Sequence, residues 1–408
     1  MPGLPALCLR PRDVRRGAVL TLFFLAAVGA GACTGSWEYP GAGRAARPAA
    51  LVAGTEPSAA GALPGTRAPA QAHRETGTAD RDAVARAAAE AVAEGKSAKS
   101  AAQEVVSRSG DRWAAVYDQG EYEAFADDLD GHWTGVGLWA GRLRDGRIEI
   151  DRVQPGSPAA RAGMRAGDRL LSIDGQSVTG LKVAEVVALL RGEAGTPVVL
   201  KLTRGGADLT QTVRRERLRS EPVTVRELPG GITVIKVASF TRGSGDRVRS
   251  AVRAAPPGGG VMLDLRGNTG GLVTEAVTAA SAFLDGGLVA TYDVRGAQRA
   301  LYATPGGDTA RPLVALIDGG TMSAAELVTG ALQDRGRAVA VGTRTFGKGS
   351  VQMPTELPDG SVAELTVGTY RTPAGRSLDG AGITPDLAAA DRVEERARTV
   401  LGGIGVGP

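Results

Sequence analysis

The alternation of strand and helix patterns after residue 216 constrains the fold of this chain more than any other feature. Short apolar runs typical of buried strands lie at 232–237, 261–265, 288–293, 313–317 and 338–341. Helical patterns follow two of these runs, at 272–284 and 324–333. Strands that alternate with helices form a mostly parallel sheet covered by helices. The pattern predicts an α/β domain over 216–395, with late strands at 350–353 and 363–367, and a short tail over 396–408.

Residues 131–215 carry shorter strand patterns that are separated by turns. The apolar runs at 148–153, 169–173 and 198–203 are typical of strands. The dipeptide Asp174-Gly175 is a turn signal, and 183–191 has a helical pattern. These features predict a mainly β domain over 131–215.

Residues 77–130 are predicted to be helical. An Ala-rich stretch over 80–94 places Val84, Ala88 and Val92 on one face, and the following glycine is a helix stop signal. Further helices are expected at 98–107 and at 121–129, the last with its aromatic side chains Tyr122 and Phe125 facing inward.

The first 33 residues are typical of an export signal. A basic stretch precedes the apolar run over 17–32, which ends in small residues before Cys33. The run is shorter than the roughly 20 apolar residues that span a bilayer. Gly-Ala-Cys33 resembles the lipobox of bacterial lipoproteins, so Cys33 is a lipidation candidate. An uncleaved membrane anchor and ordinary cleavage with secretion stay open. Residues 34–76, rich in Ala, Gly, Pro and Thr, are expected to be a flexible linker.

Composition argues against nucleic-acid binding. The formal net charge is +4, and residues 1–32 carry +3 of it, so the remaining chain is almost neutral. No cluster of Lys and Arg with interleaved aromatic residues remains. The only cysteines are Cys8 and Cys33, and Cys8 lies in the signal, so the mature chain has no intramolecular disulfide.

Ser323 is a candidate nucleophile because of its position between a strand and a helix. It follows the apolar run over 313–317 and two glycines, and it precedes the helical pattern over 324–333. A strand-to-helix turn exposes a serine hydroxyl, and a helix N-terminus favours nearby negative charge. Glu326 stands three residues later, which is also the spacing of a capping box. A purely structural role for Ser323 therefore stays open.

Lys348 is the candidate base that such a serine needs. A serine attacks an acyl carbon only when a base removes its proton. The only histidines, His73 and His132, lie in the linker and at the start of the β domain, so neither is a suitable partner. Lys348 is one of six lysines in an Arg-rich chain and lies between two glycines. Burial or neighbouring groups can lower a lysine pKa towards neutrality, whereas arginine stays protonated. A solvated turn lysine is the alternative.

Four motifs occur in the order found in the carboxyl-terminal processing, or tail-specific, proteases, which are Ser-Lys peptidases with a PDZ domain. They are Asp-Leu-Arg-Gly-Asn-Thr-Gly-Gly at 264–271, the serine segment at 318–326, Thr-Phe-Gly-Lys-Gly-Ser-Val-Gln at 345–352 and Gly-Ile-Thr-Pro-Asp at 382–386. The chain resembles this family over about residues 80–388. The resemblance implies an α/β and β architecture with an N-terminal helical segment, a permuted PDZ domain and a crotonase/ClpP-like α/β protease core.

The resemblance also implies roles for individual residues. Ser323 matches the nucleophile, Lys348 the base and Gln352 the residue that orients the lysine. A glutamine is suited to that role because it accepts a hydrogen bond from the amine without adding a charge that raises the lysine pKa.

The same resemblance places an oxyanion hole in the first motif. A backbone amide of Gly270 or Gly271, together with the amide of Ala324, would stabilise the tetrahedral intermediate. The choice between the two glycines stays open. The polar residues of this motif, Asp264, Arg266 and Asn268, are expected to be structural.

A Gly-rich loop in the predicted PDZ domain matches the loop that holds a substrate carboxylate. It consists of Gly135, Val136, Gly137 and Leu138. Successive unpaired backbone amides form an anion site, and an extended peptide can add to the edge of a sheet. A simple strand start is the structural alternative.

The sequence therefore predicts an exported, membrane-associated serine endopeptidase that binds protein C-termini through its PDZ domain and cleaves through an acyl-enzyme. Its partners would be protein or peptide substrates with free C-termini and the membrane at its N-terminus, with homo-oligomerisation left open. No metal or organic cofactor is implied. The alternatives are an inert PDZ peptide-binding scaffold and, less favoured, a crotonase-like acyl-CoA enzyme.

Overall fold

The computed structural model describes residues 77–143, 145–294 and 297–404. The predicted export segment with Cys33 and the predicted linker over 34–76 lie outside these residues. The described part of the chain contains nine helices and four sheets.

The N-terminal region packs three helices and one strand. These elements are α1 (Arg81–Ala93), α2 (Ala98–Ser109), β1 (Ala115–Tyr117) and α3 (Gln119–Leu129). The face predicted for α1, with Val84, Ala88 and Val92, is buried at two of its three positions, because Val92 is 39% exposed while Ala91 is buried. Spacings of four and then three residues follow the helical period, whereas two spacings of four drift away from the core.

The PDZ region is an antiparallel sheet with its own apolar core. Its strands lie in the order β3 (Leu138–Arg142), β4 (Ile148–Val153), β5 (Arg169–Ile173), β7 (Pro197–Arg204) and β8 (Ala207–Arg214), with β6 (Gln176–Ser177) beside β5. Its helices are α4 (Pro158–Arg161) and α5 (Val183–Leu190), and a separate pair joins β2 (His132–Gly135) to β9 (Glu216–Arg219). β3 is an edge strand and α5 lies beside it, so the edge next to α5 is open to an added strand.

The core sheet is six-stranded and mostly parallel. Its order is β10 (Val223–Leu228), β11 (Ile232–Val237), β12 (Val261–Asp264), β15 (Leu313–Ile317), β16 (Val339–Gly342) and β19 (Leu387–Ala388). Only the edge strand β10 runs antiparallel to its neighbour. This sheet confirms the predicted α/β core.

Helices cover both faces of the core sheet. Three helices, α6 (Ser244–Ala254), α7 (Val273–Ser281) and α8 (Ala324–Asp334), pack with Ile235 and Leu263 on one face. The opposite face packs against α9 (Val393–Ile404), whose Ala397 and Leu401 are buried. The segment expected as a tail over 396–408 thus contains most of α9, an amphipathic helix whose two small-to-medium apolar residues are spaced by one turn.

A second, antiparallel sheet lies beside the core and joins it to the N-terminal region. Its order is β1, β18 (Val362–Arg371), β13 (Leu288–Val294) and β14 (Ala297–Tyr302), and β17 (Ser350–Glu356) pairs with β18. β1 pairs with β18 through Ala115 and Glu364. The strand β18, which pairs with the strand that follows Lys348, is therefore also paired with residues more than 200 positions earlier in the chain.

Candidate active site

Three loops that follow neighbouring parallel strands meet at the carboxyl edge of the core sheet. They follow β12, β15 and β16. The Thr321 hydroxyl donates to the Leu265 carbonyl at 2.9 Å, and the Phe346 amide donates to the Thr321 carbonyl at 3.1 Å. The loop of Ser323 is thereby tied to the other two. This edge is where open α/β sheets place their ligand sites.

Ser323 lies at a strained turn between β15 and α8. Its φ is 53° and its ψ is −118°, a conformation that costs a residue with a side chain about 1–3 kcal/mol. The side chain is fully buried, and its Oγ has no hydrogen-bond partner among the described residues. The hydroxyl therefore neither caps α8 nor contacts Lys348 through a hydrogen bond. An uncommitted hydroxyl on a strained turn is the arrangement of a nucleophile elbow.

Lys348 is fully buried, so the alternative of a solvated turn lysine does not hold. Burial lowers the pKa of Lys348 to about 7, against opposing effects of four carboxylates, those of Glu364, Asp111, Glu326 and Asp379. Its Nζ lies 5.2 Å from the ring centroid of Trp113. An amine with a pKa near neutrality is able to act as a base.

Glu326 binds the backbones of both predicted catalytic residues. Its Oε2 accepts the amides of Ser323 at 2.9 Å and Lys348 at 2.8 Å. Its Oε1 accepts the Gly347 amide at 2.7 Å and the Thr345 hydroxyl at 2.5 Å. Burial raises the pKa of Glu326, and these four hydrogen bonds oppose that effect by favouring the charged form. One buried carboxylate thus holds the serine loop and the lysine loop together.

Gln352 lies in the site, on β17, and is fully buried. Its Nε2 donates to the hydroxyls of Ser350 at 2.7 Å and Thr366 at 3.3 Å. Its Oε1 has no partner in the described part of the chain. The amide is therefore held through its nitrogen, and the hydrogen bond from Lys348 that was expected for its oxygen is not formed in this structure.

The two glycines proposed for the oxyanion hole differ in what their amides do. The Gly270 amide donates to Asn268 Oδ1 at 2.8 Å. No acceptor for the Gly271 or Ala324 amide occurs among the described residues. A Cβ on Gly270 would lie 3.0 Å from Ser323 Cβ, and one on Gly271 would lie 2.3 Å from the Phe240 carbonyl oxygen, so both positions require glycine.

The polar residues of the same loop make structural contacts. Arg266 donates to both carboxylate oxygens of Asp264, at 2.8 and 2.7 Å. The Asn268 side chain donates to the Val237 carbonyl at 3.0 Å while it accepts the Gly270 amide. These contacts fix the loop on β11 and β12.

The N-terminal region covers the site with apolar side chains. Trp113, Phe125 and Leu129 pack with Leu272, which follows Gly271, and with Met322, which precedes Ser323. The Trp113 ring also meets the Phe346 ring edge-on at 5.8 Å. The site is therefore enclosed in this conformation, because neither Ser323 nor Lys348 has exposed surface.

The PDZ loop, Gly135, Val136, Gly137 and Leu138, joins β2 to the edge strand β3. The Gly137 amide has no acceptor among the described residues, and its φ is 83°. A Cβ on Gly137 would lie 2.2 Å from the Cβ of Ser157. Gly137 is therefore required by packing within the domain, whether or not a peptide binds.

Two further findings concern only the described residues. No helix between 77 and 404 is both long and apolar enough to cross a bilayer. Nor does that part of the chain contain three or more His, Cys, Asp or Glu side chains grouped so that they could hold a metal ion.

Comparison with known proteins identifies the class to which this fold and site belong. The model described as Peptidase family S41 matches residues 231–389, and a PDZ domain model matches residues 149–204. The chain is 33% identical over 284 residues to the carboxy-terminal processing protease CtpA of Bacillus subtilis, and the match covers 68% of this chain and 61% of that protein. It is 33% identical over 297 residues to the carboxy-terminal-processing protease of Bartonella bacilliformis, which covers 70% of this chain and 68% of that protein.

A solved structure described as the photosystem II D1 C-terminal processing protease is 29% identical, with a TM-score of 0.49, and the match covers 74% of this chain and 86% of that one. The curated relatives and the PDZ domain model together define the class, which is that of C-terminal processing peptidases with a PDZ domain. The chain belongs to the carboxy-terminal processing proteases of peptidase family S41, which confirms the resemblance seen in the sequence. Its aligned part spans about 61% of the Bacillus protein and 68% of the Bartonella protein.

Sequence reasoning missed several residues that surround the site. It assigned Glu326 only to the start of a helix, although the spacing of Ser323 and Glu326 was the available signal. Asp111, Trp113 and Glu364 belong to no motif, and only the pairing of β1 with β18 brings them to Lys348.

Proposed function

We propose that this protein is a serine endopeptidase in which Ser323 is the nucleophile and Lys348 is the general base. The observation that carries the proposal is the shared Glu326 carboxylate, which accepts the amides of both residues. It fixes a strained serine with an uncommitted hydroxyl beside a buried lysine with a lowered pKa.

The reaction begins with neutral Lys348. The lysine takes the Ser323 proton as Oγ attacks the peptide carbonyl carbon, and the peptide C–N bond breaks after the lysine returns that proton to the leaving nitrogen. The acyl-enzyme is then hydrolysed by water, whose proton passes through the same lysine. The amides of Gly271 and Ala324 stabilise the developing oxyanion, because the Gly270 amide is already bound by Asn268.

The test measures cleavage of a denatured protein or an unstructured peptide by purified variants. Ser323→Ala and Lys348→Ala should abolish cleavage, and Lys348→Arg should lose about 10²–10⁴-fold because arginine stays protonated. Ser244→Ala is the matched control, since Ser244 also begins a helix and its buried hydroxyl has no hydrogen-bond partner among the described residues. Full activity in Lys348→Arg would exclude lysine as the base. Peptide binding without any cleavage would favour the inert scaffold.

The PDZ domain would deliver the substrate through its free C-terminus. The edge strand β3, its neighbour α5 and the loop that contains Gly137 support this role. A free-acid peptide should be cleaved more efficiently than the same peptide amidated at its C-terminus, because the amide removes the charge that the loop binds. Bulky substitution of Gly137 is a poor test, since it clashes with Ser157. Equal cleavage of both peptides would contradict tail binding.

We place the mature enzyme outside the cytoplasm, tethered to the membrane by lipid on Cys33. The basic stretch, the apolar run and the small residues before Cys33 support this proposal. Mass analysis of the mature N-terminus should show a lipid-modified Cys33, and Cys33→Ser should release the protein from membranes. An unmodified N-terminus beyond Cys33 would favour secretion, and an uncleaved chain would favour an anchor.

A further inference from the structure

A carboxyl group that the proposed mechanism does not use is buried close enough to Lys348 to act on its charge. Glu364 on β18 has no exposed surface, and neither of its carboxylate oxygens has a hydrogen-bond partner among the described residues. Most buried carboxyl groups are hydrogen-bonded, because desolvation of an unpaired one is costly. Such a group needs either a proton or a nearby positive charge.

The strand pattern explains why Glu364 points towards the site. Its neighbours Ala363 and Leu365 face the core of α1 and α2. Because successive side chains of a strand point to opposite faces of the sheet, Glu364 lies on the opposite face. In the sheet, Glu364 pairs with Ala115 on β1 and with Pro354 on β17. Tyr117 on β1 and Gln352 on β17 therefore lie diagonally across from Glu364.

Tyr117, which lies diagonal to Glu364 across the β1–β18 pair, belongs to an aromatic cluster. Tyr117 stacks on Phe125 at 5.5 Å and lies 6.2 Å from Tyr122. Burial raises the pKa values of both tyrosines, and Glu364 is the charged group that raises them most. The Tyr117 hydroxyl and the Trp113 indole nitrogen are also buried without partners in the described structure. The Trp113 ring, whose centroid lies 5.2 Å from Lys348 Nζ, helps to exclude water from the lysine, and low polarity strengthens interactions between charges there.

Glu364 and Lys348 each act on the charge of the other, and further carboxylates also act on Lys348. Burial raises the pKa of Glu364, and the positive charge of Lys348 opposes that effect by favouring the ionised carboxylate. Glu364 is the strongest of the carboxylates that act on Lys348, ahead of Asp111, Glu326 and Asp379. Glu121 of α3 acts on Tyr117, and Glu356 of β17 acts on Tyr122.

We propose that Glu364 is the counter-ion of the Lys348 ammonium and thereby a positioning residue for the catalytic base. The inference rests on the proposed function. The proton that leaves Ser323 forms an ammonium on Lys348, and ionised Glu364 stabilises that charge until the leaving nitrogen takes the proton. The same carboxylate makes the lysine a stronger base. The two groups therefore titrate as a pair rather than independently.

The decisive measurement is the titration of Lys348 itself, which does not depend on activity. The chain has only six lysines, so lysine labelled with ¹³C at Cε gives few signals, and the signal lost in Lys348→Met identifies the residue. In the wild-type protein we expect a broad or two-step titration of Lys348. In Glu364→Gln it should become a single step whose midpoint is lower by about one pH unit, because an opposite charge has been removed.

Two variants keep the test decisive. Glu364→Met has a similar volume without a polar atom, so it reports on the charge if the glutamine variant does not fold. Glu356→Gln removes a carboxylate from the exposed end of β17 on the same sheet and should leave the Lys348 titration unchanged. Identical Lys348 titrations in wild type, Glu364→Gln and Glu364→Met would overturn the proposal.

Activity provides a second, separate readout. In Glu364→Gln and Glu364→Met, the acid limb of the kcat/KM profile should move to lower pH and the plateau should fall, because the lysine is a weaker base. A merely structural role would lower activity without moving the limb, and that result would also contradict the proposal. If no form of the protein cleaves peptides, the proposed function fails, whereas the Lys348 titration still decides whether the pair exists.

Discussion

Ser323 and Lys348 are held by two different kinds of structure. Ser323 is placed by its immediate neighbours in the chain, namely β15, a backbone turn with positive φ and the start of α8. Lys348 lies in a loop between β16 and β17, and its surroundings come from distant segments that contribute Asp111, Trp113 and Glu364. The serine is thus positioned by local backbone geometry, and the lysine is tuned by long-range burial.

This difference separates geometry from proton affinity. A strained serine turn fixes where an oxygen lies but does little to its acidity. Burial changes the pKa of the lysine without fixing its direction, since the side chain has four rotatable carbons. The Glu326 carboxylate contacts the backbones of both Ser323 and Lys348. Substitutions around Ser323 and substitutions around Lys348 should therefore have different effects on stability and activity. The largest effects are expected at Glu326, which contacts both residues.

The largest effect is expected for Glu326→Gln. A carboxamide keeps one acceptor oxygen, so two of the four buried donors around Glu326 lose their partner. At about 1–3 kcal/mol for each donor, the free energy of unfolding should fall by about 2–6 kcal/mol. Cleavage should also fall, because the two loops are no longer held together. Chemical denaturation and kcat/KM measure these effects.

Glu275→Gln is the matched control for this substitution. Glu275 also accepts two backbone amides, those of Gly243 and Gly245, at 2.9 and 2.8 Å, but it is only partly buried and lies at another helix start. It should lose less stability and keep its activity. If the two variants behave alike, Glu326 is an ordinary cap and does not join the two halves.

This contrast also explains which features could be predicted from the sequence. Strands such as 232–237 and 313–317 have the predicted bounds, because short apolar runs between turn signals have few other structures available. The position of Ser323 followed from the same local pattern. The surroundings of Lys348 could not be predicted, because Asp111 and Glu364 are 253 residues apart in the numbering of the chain and only strand pairing joins them. The four family motifs contain neither Asp111 nor Glu364.

The second prediction concerns the free energy of unfolding, which burial of the Lys348 amine lowers. The folded-state pKa of Lys348 is lowered to about 7, so between about pH 7 and its ordinary value near 10.5 the unfolded chain binds the extra proton. The free energy of unfolding of the wild type should therefore rise with pH across this window, by up to about 1.4 kcal/mol per pH unit from this group. Lys348→Met removes that contribution.

The measurement is the difference in unfolding free energy between Lys348→Met and wild type at pH 7, 8, 9 and 10. The methionine variant should have its largest advantage at pH 7 and lose it progressively towards pH 10. Lys201→Met, at an exposed position of β7, should show a constant difference. A constant difference for Lys348→Met as well would mean that the lysine has an ordinary pKa.

Asp111→Asn should have a moderate effect, and only on the lysine side. Asp111 Oδ1 accepts the Trp113 and Ala114 amides and the Thr366 hydroxyl, while Oδ2 accepts the Ala79 and Thr366 amides at 3.3 Å. Since the asparagine keeps one acceptor and the two hydrogen bonds to Oδ2 are long, at 3.3 Å, each should contribute less than those of Glu326, and we expect a total loss of about 1–3 kcal/mol. Asp359→Asn is the control, because its exposed carboxylate also ties the N-terminal region to the β17–β18 hairpin. Equal losses of unfolding free energy in the two variants would mean that the burial of Asp111 does not strengthen the contribution of its hydrogen bonds.

The smallest effect is expected for Trp113→Phe, which separates the aromatic contribution to the lysine from that of the carboxylate. The phenyl ring keeps most of the cover over Lys348 and removes the indole nitrogen, which has no partner in the described structure, so stability should change by less than about 1 kcal/mol. Phenylalanine attracts an ammonium less strongly than tryptophan, so the Lys348 midpoint should fall by at most about 0.5 pH unit. Trp139→Phe, whose ring lies 3.6 Å from the Arg152 guanidinium in the PDZ region, should leave that midpoint unchanged. If Trp113→Phe lowers the midpoint as much as Glu364→Gln does, the ring rather than the carboxylate is the main stabiliser of the ammonium, and long-range burial tunes the lysine by a different route.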